Sequence, residues 1–332
     1  MNLKERILNR LQERQGDERV VWIPTVGVSV EAMKQVDATW PDSHWDPVKM
    51  ARAAASTFEL TGLPCCTIPF CLTVEAEALG GGLDRGSLNT QPQIMEHFEG
   101  AFDEYELPED FLQRGRIPVV LEAISRLAES QRDIQPVNVK VTGPFTISTS
   151  VFGAERVLLG TIEESDAVKR VLQTVTRVSI DFANAARAAG ADIVTISDPV
   201  ASGDLLSAQQ YAEFAAPYER QVFAAVDGPT VLHICGFTRD EMSHVREVGT
   251  WGFSFEEKVA VKDAKEILGA RVAAIGNVSP VKFLLNGTPE EVRRQAEQCF
   301  EDGIDLLSSG CAVPPLTRLE NLRALAAAAG AR

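Results

Sequence analysis

Apolar, β-branched runs alternate with amphipathic stretches along this chain, and that alternation is the main guide to its fold. Eight short runs, at residues 20–24, 66–70, 138–142, 192–197, 230–234, 251–255, 271–276 and 305–310, have the apolar character of strands buried on both faces. Patterns of helical period separate them, such as residues 162–189 and 210–226. Two junctions repeat one device: Gly190 and Gly303 each end a helix, and a strand follows at once. Eight strand–helix units predict an α/β fold, a (β/α)8 barrel of the TIM type, with residues 1–332 as one domain. The first eighteen residues form an N-terminal helical extension. Residues 80–118, which hold Gly80-Gly81-Gly82, Pro92 and Pro108, fit no barrel unit and read as an insertion after the second strand.

Composition narrows the partners. A chain of 332 residues buries a sizeable core without disulfides. Its net charge of −15 argues against nucleic acid and against an anionic membrane surface. No segment reaches the roughly 18 apolar residues of a membrane span. The charged, amphipathic start lacks the apolar run of a signal peptide. Six cysteines at irregular spacings then read as reduced thiols, and the expected compartment is the cytoplasm.

In such barrels the chemistry sits where the strands end, at the C-terminal face. His233 falls in the last turn of the fifth run, Cys235 lies just beyond it, and Cys311 follows the eighth run in Ser309-Gly310-Cys311. One imidazole and two thiolates suit Zn²⁺, and three protein ligands leave a position open for a substrate. A lone histidine or cysteine is more often a core residue. Three soft ligands converging from separate strand ends favour a metal. Glu256, just past the sixth run, shares strand parity with Ser254 and is the candidate fourth ligand. A solvated Glu256-Glu257-Lys258 helix start accounts for it equally well. Asp198 and Asn277 follow the fourth and seventh runs and are candidates for binding substrate, set against roles as helix caps or loop hydrogen-bonders. Glu75 and Glu77 lie two apart, so at most one reaches the mouth, and Glu77 is the candidate. Cys65, Cys66 and Cys299 are expected in the core, and His97 and His244 at the surface. Thr317 and Glu320 are spaced as a capping box for a last helix.

Several segments resemble the methylcobamide:coenzyme M methyltransferases, within the uroporphyrinogen decarboxylase superfamily. They are residues 68–80 (from Ile68-Pro69-Phe70-Cys71 to Gly80), Gly276-Asn277-Val278-Ser279-Pro280, residues 285–290 and Ser309-Gly310-Cys311. Thr39-Trp40-Pro41 and Asp198-Pro199 with Ser202-Gly203 fit the same pattern, and the likeness runs from about Trp22 to Leu322. The resemblance implies a (β/α)8 barrel, which agrees with the strand count, and zinc ligation by His233, Cys235 and Cys311. The decarboxylase branch fits less well. Its first-strand arginines are absent from residues 22–27, its essential aspartate falls at Cys71, and its active-site histidine falls at Cys311.

The resemblance also implies an activity: methyl transfer from a methylated corrinoid to a thiol such as coenzyme M, with zinc holding the thiol as its thiolate. Asp42-Ser43-His44 begins like a corrinoid-ligating Asp-x-His-x-x-Gly motif but has Pro47 where glycine is needed. The methyl donor is therefore expected to be a separate methylated corrinoid protein, or free methylcobalamin. Arg318 stands where the family pattern leads one to expect proline, in the loop where an acceptor's anionic group would be received. The alternatives are a folate-type acceptor, transfer towards the corrinoid, a decarboxylase, and a non-catalytic corrinoid- or metal-binding barrel.

Overall fold

The computed structural model describes residues 1–13 and 18–330. Its strands are β1 (Thr67–Ile68), β2 (Gly82–Asp84), β3 (Gln93–Glu96), β4 (Asn138–Thr142), β5 (Ile193–Ser197), β6 (Thr230–His233), β7 (Gly252–Ser254), β8 (Ala273–Val278) and β9 (Leu306–Ser309). Seven of them form one parallel sheet in the order β1-β4-β5-β6-β7-β8-β9, and β2 pairs with β3 as an antiparallel hairpin. Chain order is sheet order, as repeated strand–helix units dictate.

Seven of the eight expected strand runs therefore form strands. The first, residues 20–24, contributes a single bridge, Val21 to Leu307. It still occupies the stave between β9 and β1. The Trp22 N–H donates to Leu307 O at 3.0 Å, Leu307 N–H to Val20 O at 2.9 Å, and Ile23 N–H to Pro64 O at 3.0 Å. Pro24, Pro64 and Pro69 lack an N–H, which limits ladder pairing along this seam and shortens β1 to two residues.

Two apolar shells surround the sheet. Outside, the strands pack against the helices in one large core. Inside, a smaller core joins Val20, Trp22, Ile193, Val231, Ile275 and Leu306 to Ile7 and Leu11 of the N-terminal helix Leu3–Glu13. That helix closes the lower end of the sheet's concave side. It is shorter than the eighteen residues expected, and residues 14–17 of that expectation lie outside the described residues. Above the apolar layer the interior turns polar. The Asn138 amide donates to Pro24 O at 2.7 Å and to Thr67 Oγ1 at 3.1 Å, and the Thr195 hydroxyl donates to Asn138 Oδ1 at 2.9 Å.

Other expectations shift in detail. The long helix expected at 162–189 is two helices, Ala154–Glu163 and Ser165–Ala188, joined at Glu164. The pattern at 210–226 splits into Ala208–Phe214 and Ala216–Ala225, because Pro217 has no N–H to continue the first helix. Residues 80–118 hold the β2–β3 hairpin and two single-turn helices, Phe102–Glu104 and Phe111–Gln113. The Thr317–Glu320 capping box does not form. Arg318 precedes helix Leu319–Ala327, Glu320 pairs with Arg318 at 2.6 Å, and Glu31 Oε2 accepts the Leu319 N–H at 3.0 Å. Among the described residues no helix is long and apolar enough to cross a membrane.

Candidate metal centre

His233 ends β6, and Cys235 follows two residues later on the same side of the chain, while Ile234 between them is buried in the outer core. Gly236 then turns the chain with φ +89°, and a Cβ there would meet Asp204 Oδ2 at 2.5 Å. Cys311 lies two residues past β9. Register sets these residues level. Thr142, Ser197, His233 and Ser254 are paired neighbours across β4, β5, β6 and β7. The ligand atoms of His233, Cys235 and Cys311 all lie within 4.8 Å of one another.

The electrostatics suit a cation. His233 Nδ1 lies 3.2 Å from Ser254 O and 3.0 Å from Ser254 Oγ. With a cation bound, donation from Nδ1–H to the carbonyl would free Nε2, on the side that faces Cys311 Sγ 3.7 Å away, to act as a ligand. A hydrogen bond joins the two sulfurs, with Cys235 as its donor. The Cys235 thiol is held well up, first by hydrogen bonding to Cys311, then by burial. Cys311 is held well down, first by that same hydrogen bond, with His233 helping against burial. A dication displacing the proton of that hydrogen bond would complete this donor set, so the residues fit the zinc expected of them. Glu256 lies outside the compact trio. Its carboxyl is pushed up by burial first and by the Cys311 charge second.

The three donors open into a cavity of about 160 Å³, lined also by Thr25, Gln91, Lys140 and Ser197. This is well below the roughly 300–1,000 Å³ of pockets that take drug-sized ligands. Its volume matches a molecule of a few heavy atoms.

The other candidates point elsewhere. Asp198 is fully buried and straps two loops together: it accepts from Phe145 N–H at 3.2 Å, Thr146 N–H at 2.7 Å and Thr146 Oγ1 at 2.6 Å. Asn277 donates to Val259 O at 2.8 Å and accepts from the Cys299 thiol at 3.4 Å, away from the cavity. Glu77 pairs with Arg116 at 2.5 Å, while Glu75 turns inward to accept from Thr142 N–H at 2.6 Å and its hydroxyl at 2.8 Å. Cys65, Cys66 and Cys299 are buried as expected, and His44 is buried among Trp40, Trp45 and Phe70. Sequence reasoning passed over Lys140. Its signal was a lone cation in the run Asn138-Val139-Lys140-Val141-Thr142, every residue of which is buried.

The comparisons with known proteins agree with this architecture. The family described as uroporphyrinogen decarboxylase (URO-D) matches residues 2–331. The chain belongs to that family. Within it, the chain is 36% identical over 328 residues to "Methylcobamide:CoM methyltransferase MtaA" of Methanosarcina barkeri, covering 98% of this chain and 97% of that one. It is 32% identical over 324 residues to "Methylcobamide:CoM methyltransferase MtbA" of Methanosarcina acetivorans, covering 96% and 95%. A solved structure of a methyltransferase from Methanosarcina mazei superposes with a TM-score of 0.96 at 37% identity, covering 99% of this chain and 98% of that one.

Proposed function

We propose that this chain is a zinc-dependent methyltransferase that moves a methyl group from a methylated corrinoid to a small thiol, coenzyme M being the leading candidate. One observation carries the reading: three soft donors within 4.8 Å at the mouth of a barrel that shares full length with methylcobamide:CoM methyltransferases. His233, Cys235 and Cys311 would hold the ion, and Glu256 is a candidate for a fourth ligand. Bound there, zinc supplies a Lewis acid that lets a thiol bind as its thiolate near neutral pH. The chain's own residues do the rest. Ser254 fixes the His233 ring, and the small cavity beside the donors suits a small acceptor. The corrin ring stays outside, over the mouth, which calls for a separate methylated corrinoid protein or free methylcobalamin. The acceptor sulfur forms the new S–CH₃ bond, the electron pair of the broken Co–C bond stays on cobalt, and the thiol proton leaves to solvent. The expected compartment is the cytoplasm.

Decarboxylation of a tetrapyrrole is disfavoured. Its many carboxylates call for several cations, whereas among the described residues Lys140 is the one lysine or arginine lining this cavity, and Arg116 is tied to Glu77 and to Cys71, which replaces the expected aspartate.

The test is thiol-dependent loss of methylcobalamin absorbance, run with a panel of thiols and a folate, beside elemental analysis of the purified protein. About one zinc per chain is expected, lost in the Cys235→Ala/Cys311→Ala double variant together with activity. Stoichiometric zinc retained by that variant, or methyl transfer to the folate alone, would overturn the reading.

A further inference from the structure

The β2–β3 hairpin fits no barrel unit, yet it reaches the metal centre. Gln91, just before β3, lines the cavity of about 160 Å³ that holds the three donors. It also lines an adjoining groove of about 420 Å³, together with Thr73, Pro92, Ile94 and Thr149. Leu72 lines both spaces as well, so Leu72 and Gln91 form the partition between them. Leu72 belongs to the segment that leads from β1 into helix Val74–Ala78. The Gln91 side chain is half-buried and makes no hydrogen bond among the described residues. The groove alone falls in the size range of ordinary ligand pockets, and the cavity does not.

The hairpin is held at its ends and lightly between them. Among the described residues no hydrogen bond or ion pair joins residues 82–96 to the barrel. Its bonds are internal: β2 pairs with β3, the Ser87 N–H donates to Thr90 O at 3.0 Å, and the Gly86 N–H donates to Asp84 Oδ1 at 2.7 Å. The flanks are pinned. The Gly81 N–H donates to Ala76 O at 2.9 Å, the Phe98 N–H donates to Val151 O at 2.7 Å, and Phe98 packs edge-on against Tyr105 and Phe152. Gly80-Gly81-Gly82 supply a joint: Gly80 has φ +99°, with open space where a Cβ would sit. Pro92 and Ile94 give the hairpin apolar contact over the groove. One polar contact seats it. The exposed Arg85 guanidinium lies 4.3 Å from the centre of the Trp45 ring, and the buried Arg116 lies 4.7 Å from the same centre. Glu77, Cys71 and Thr73 hold Arg116, so the ring that receives Arg85 is braced from the core. A cation over an exposed ring is a weak contact, as a reversible latch requires.

We propose that the β2–β3 hairpin is a flap: it pivots at residues 80–82, is latched by Arg85 on Trp45, and on lifting carries Gln91 out of the partition, joining the metal-centre cavity to the groove as a passage for small molecules. The flap would serve any reaction at the centre, because its basis is the two spaces and the hairpin's attachment alone.

The test follows motion and access separately, on the full chain. In hydrogen–deuterium exchange read by mass spectrometry, residues 82–96 should exchange faster than β4–β9, since a two-stranded hairpin off its seat is marginally stable. Arg85→Ala removes the latch. It should speed exchange of that segment about 2- to 5-fold, the factor that a cation–π contact at an exposed site corresponds to, and leave β4–β9 unchanged. Arg85→Lys keeps a cation on the ring and should fall between the two. Access is read in metal-free protein as the rate at which iodoacetamide, a small neutral probe, alkylates Cys235 and Cys311. Arg85→Ala should raise that rate in the same proportion, and Gln91→Trp, which thickens the partition, should lower it. Protection of residues 82–96 equal to that of β4–β9 would overturn the flap. So would faster exchange in β4–β9 of Arg85→Ala, since Arg85 would then support the whole barrel. Alkylation rates unchanged in both variants would overturn the passage, because the probe would then reach the donors by the mouth alone.

Discussion

His233 owes its usefulness to its neighbour. Its Nδ1 meets two acceptors on Ser254, the backbone carbonyl at 3.2 Å and the hydroxyl at 3.0 Å. Removing the only partner of a ligating histidine typically costs about 10–100-fold in metal affinity. Ser254→Ala removes one partner of two, and the carbonyl still fixes the tautomer. Zinc affinity should therefore fall by less than about tenfold, measured by competition with a chromophoric chelator. A loss as large as that of His233→Ala would mean that the hydroxyl alone orients the ring. Residue types at strand ends made the donor trio legible in the sequence, because the barrel brings any two strand ends to one mouth. Side-chain direction was not legible. Glu75 and Glu77 sit on the five-residue helix Val74–Ala78, and its docking sends Glu75 in to Thr142 and Glu77 out to Arg116. Local spacing says only that the two diverge.

At the scale of elements, Asp198 joins the end of β5 to the start of helix Pro144–Phe152. Gly143 permits the approach, since a Cβ there would lie 2.4 Å from the Asp198 side chain. Burial pushes the Asp198 carboxyl from 3.8 up to about 6, against the pull of its hydrogen bonds to Thr146 and Phe145. The unfolded chain releases this proton near pH 3.9. Between about pH 4 and 6 the folded state therefore keeps a proton that the unfolded state has lost, and stability falls as pH rises through that window. The cost is complete above pH 6 and amounts to at most about 3 kcal/mol. Asp198→Asn should lose this slope. In urea unfolding at pH 5 and pH 7, the wild type should lose more stability between the two than the variant does, and thiol binding should not change. Identical pH dependence would show that Asp198 is ionised throughout. Element existence was readable because the strand runs are continuous and apolar. The first run was over-read: prolines at its edges leave it one bridge, although it fills its stave. The helix at 210–226 was under-divided, since its apolar period continues across Pro217 while the backbone bonds do not.

For the whole molecule, the question is what the metal contributes to the fold. The donors lie at the upper ends of β6 and β9, past most of the ladder bonds. The two cores are built without them: the outer one between sheet and helices, the inner one closed from below by Ile7 and Leu11 of helix Leu3–Glu13. A metal bound at about 100 times its dissociation constant adds about 2.7 kcal/mol by mass action. At roughly 1–2 °C per kcal/mol in a chain of 332 residues, its removal should lower Tm by about 3–5 °C. Far-ultraviolet circular dichroism should keep its helical signal after chelation, while methyl transfer is lost. Leu11→Ala gives the opposite split. It opens a cavity under the inner core and should cost about 2–5 kcal/mol of stability, with zinc stoichiometry and thiol binding unchanged. The two perturbations act on opposite ends of one barrel, so their effects on stability should add. Collapse of the dichroism signal on chelation would make the centre a structural site, as in a zinc finger, and would remove the open position that the proposed chemistry requires.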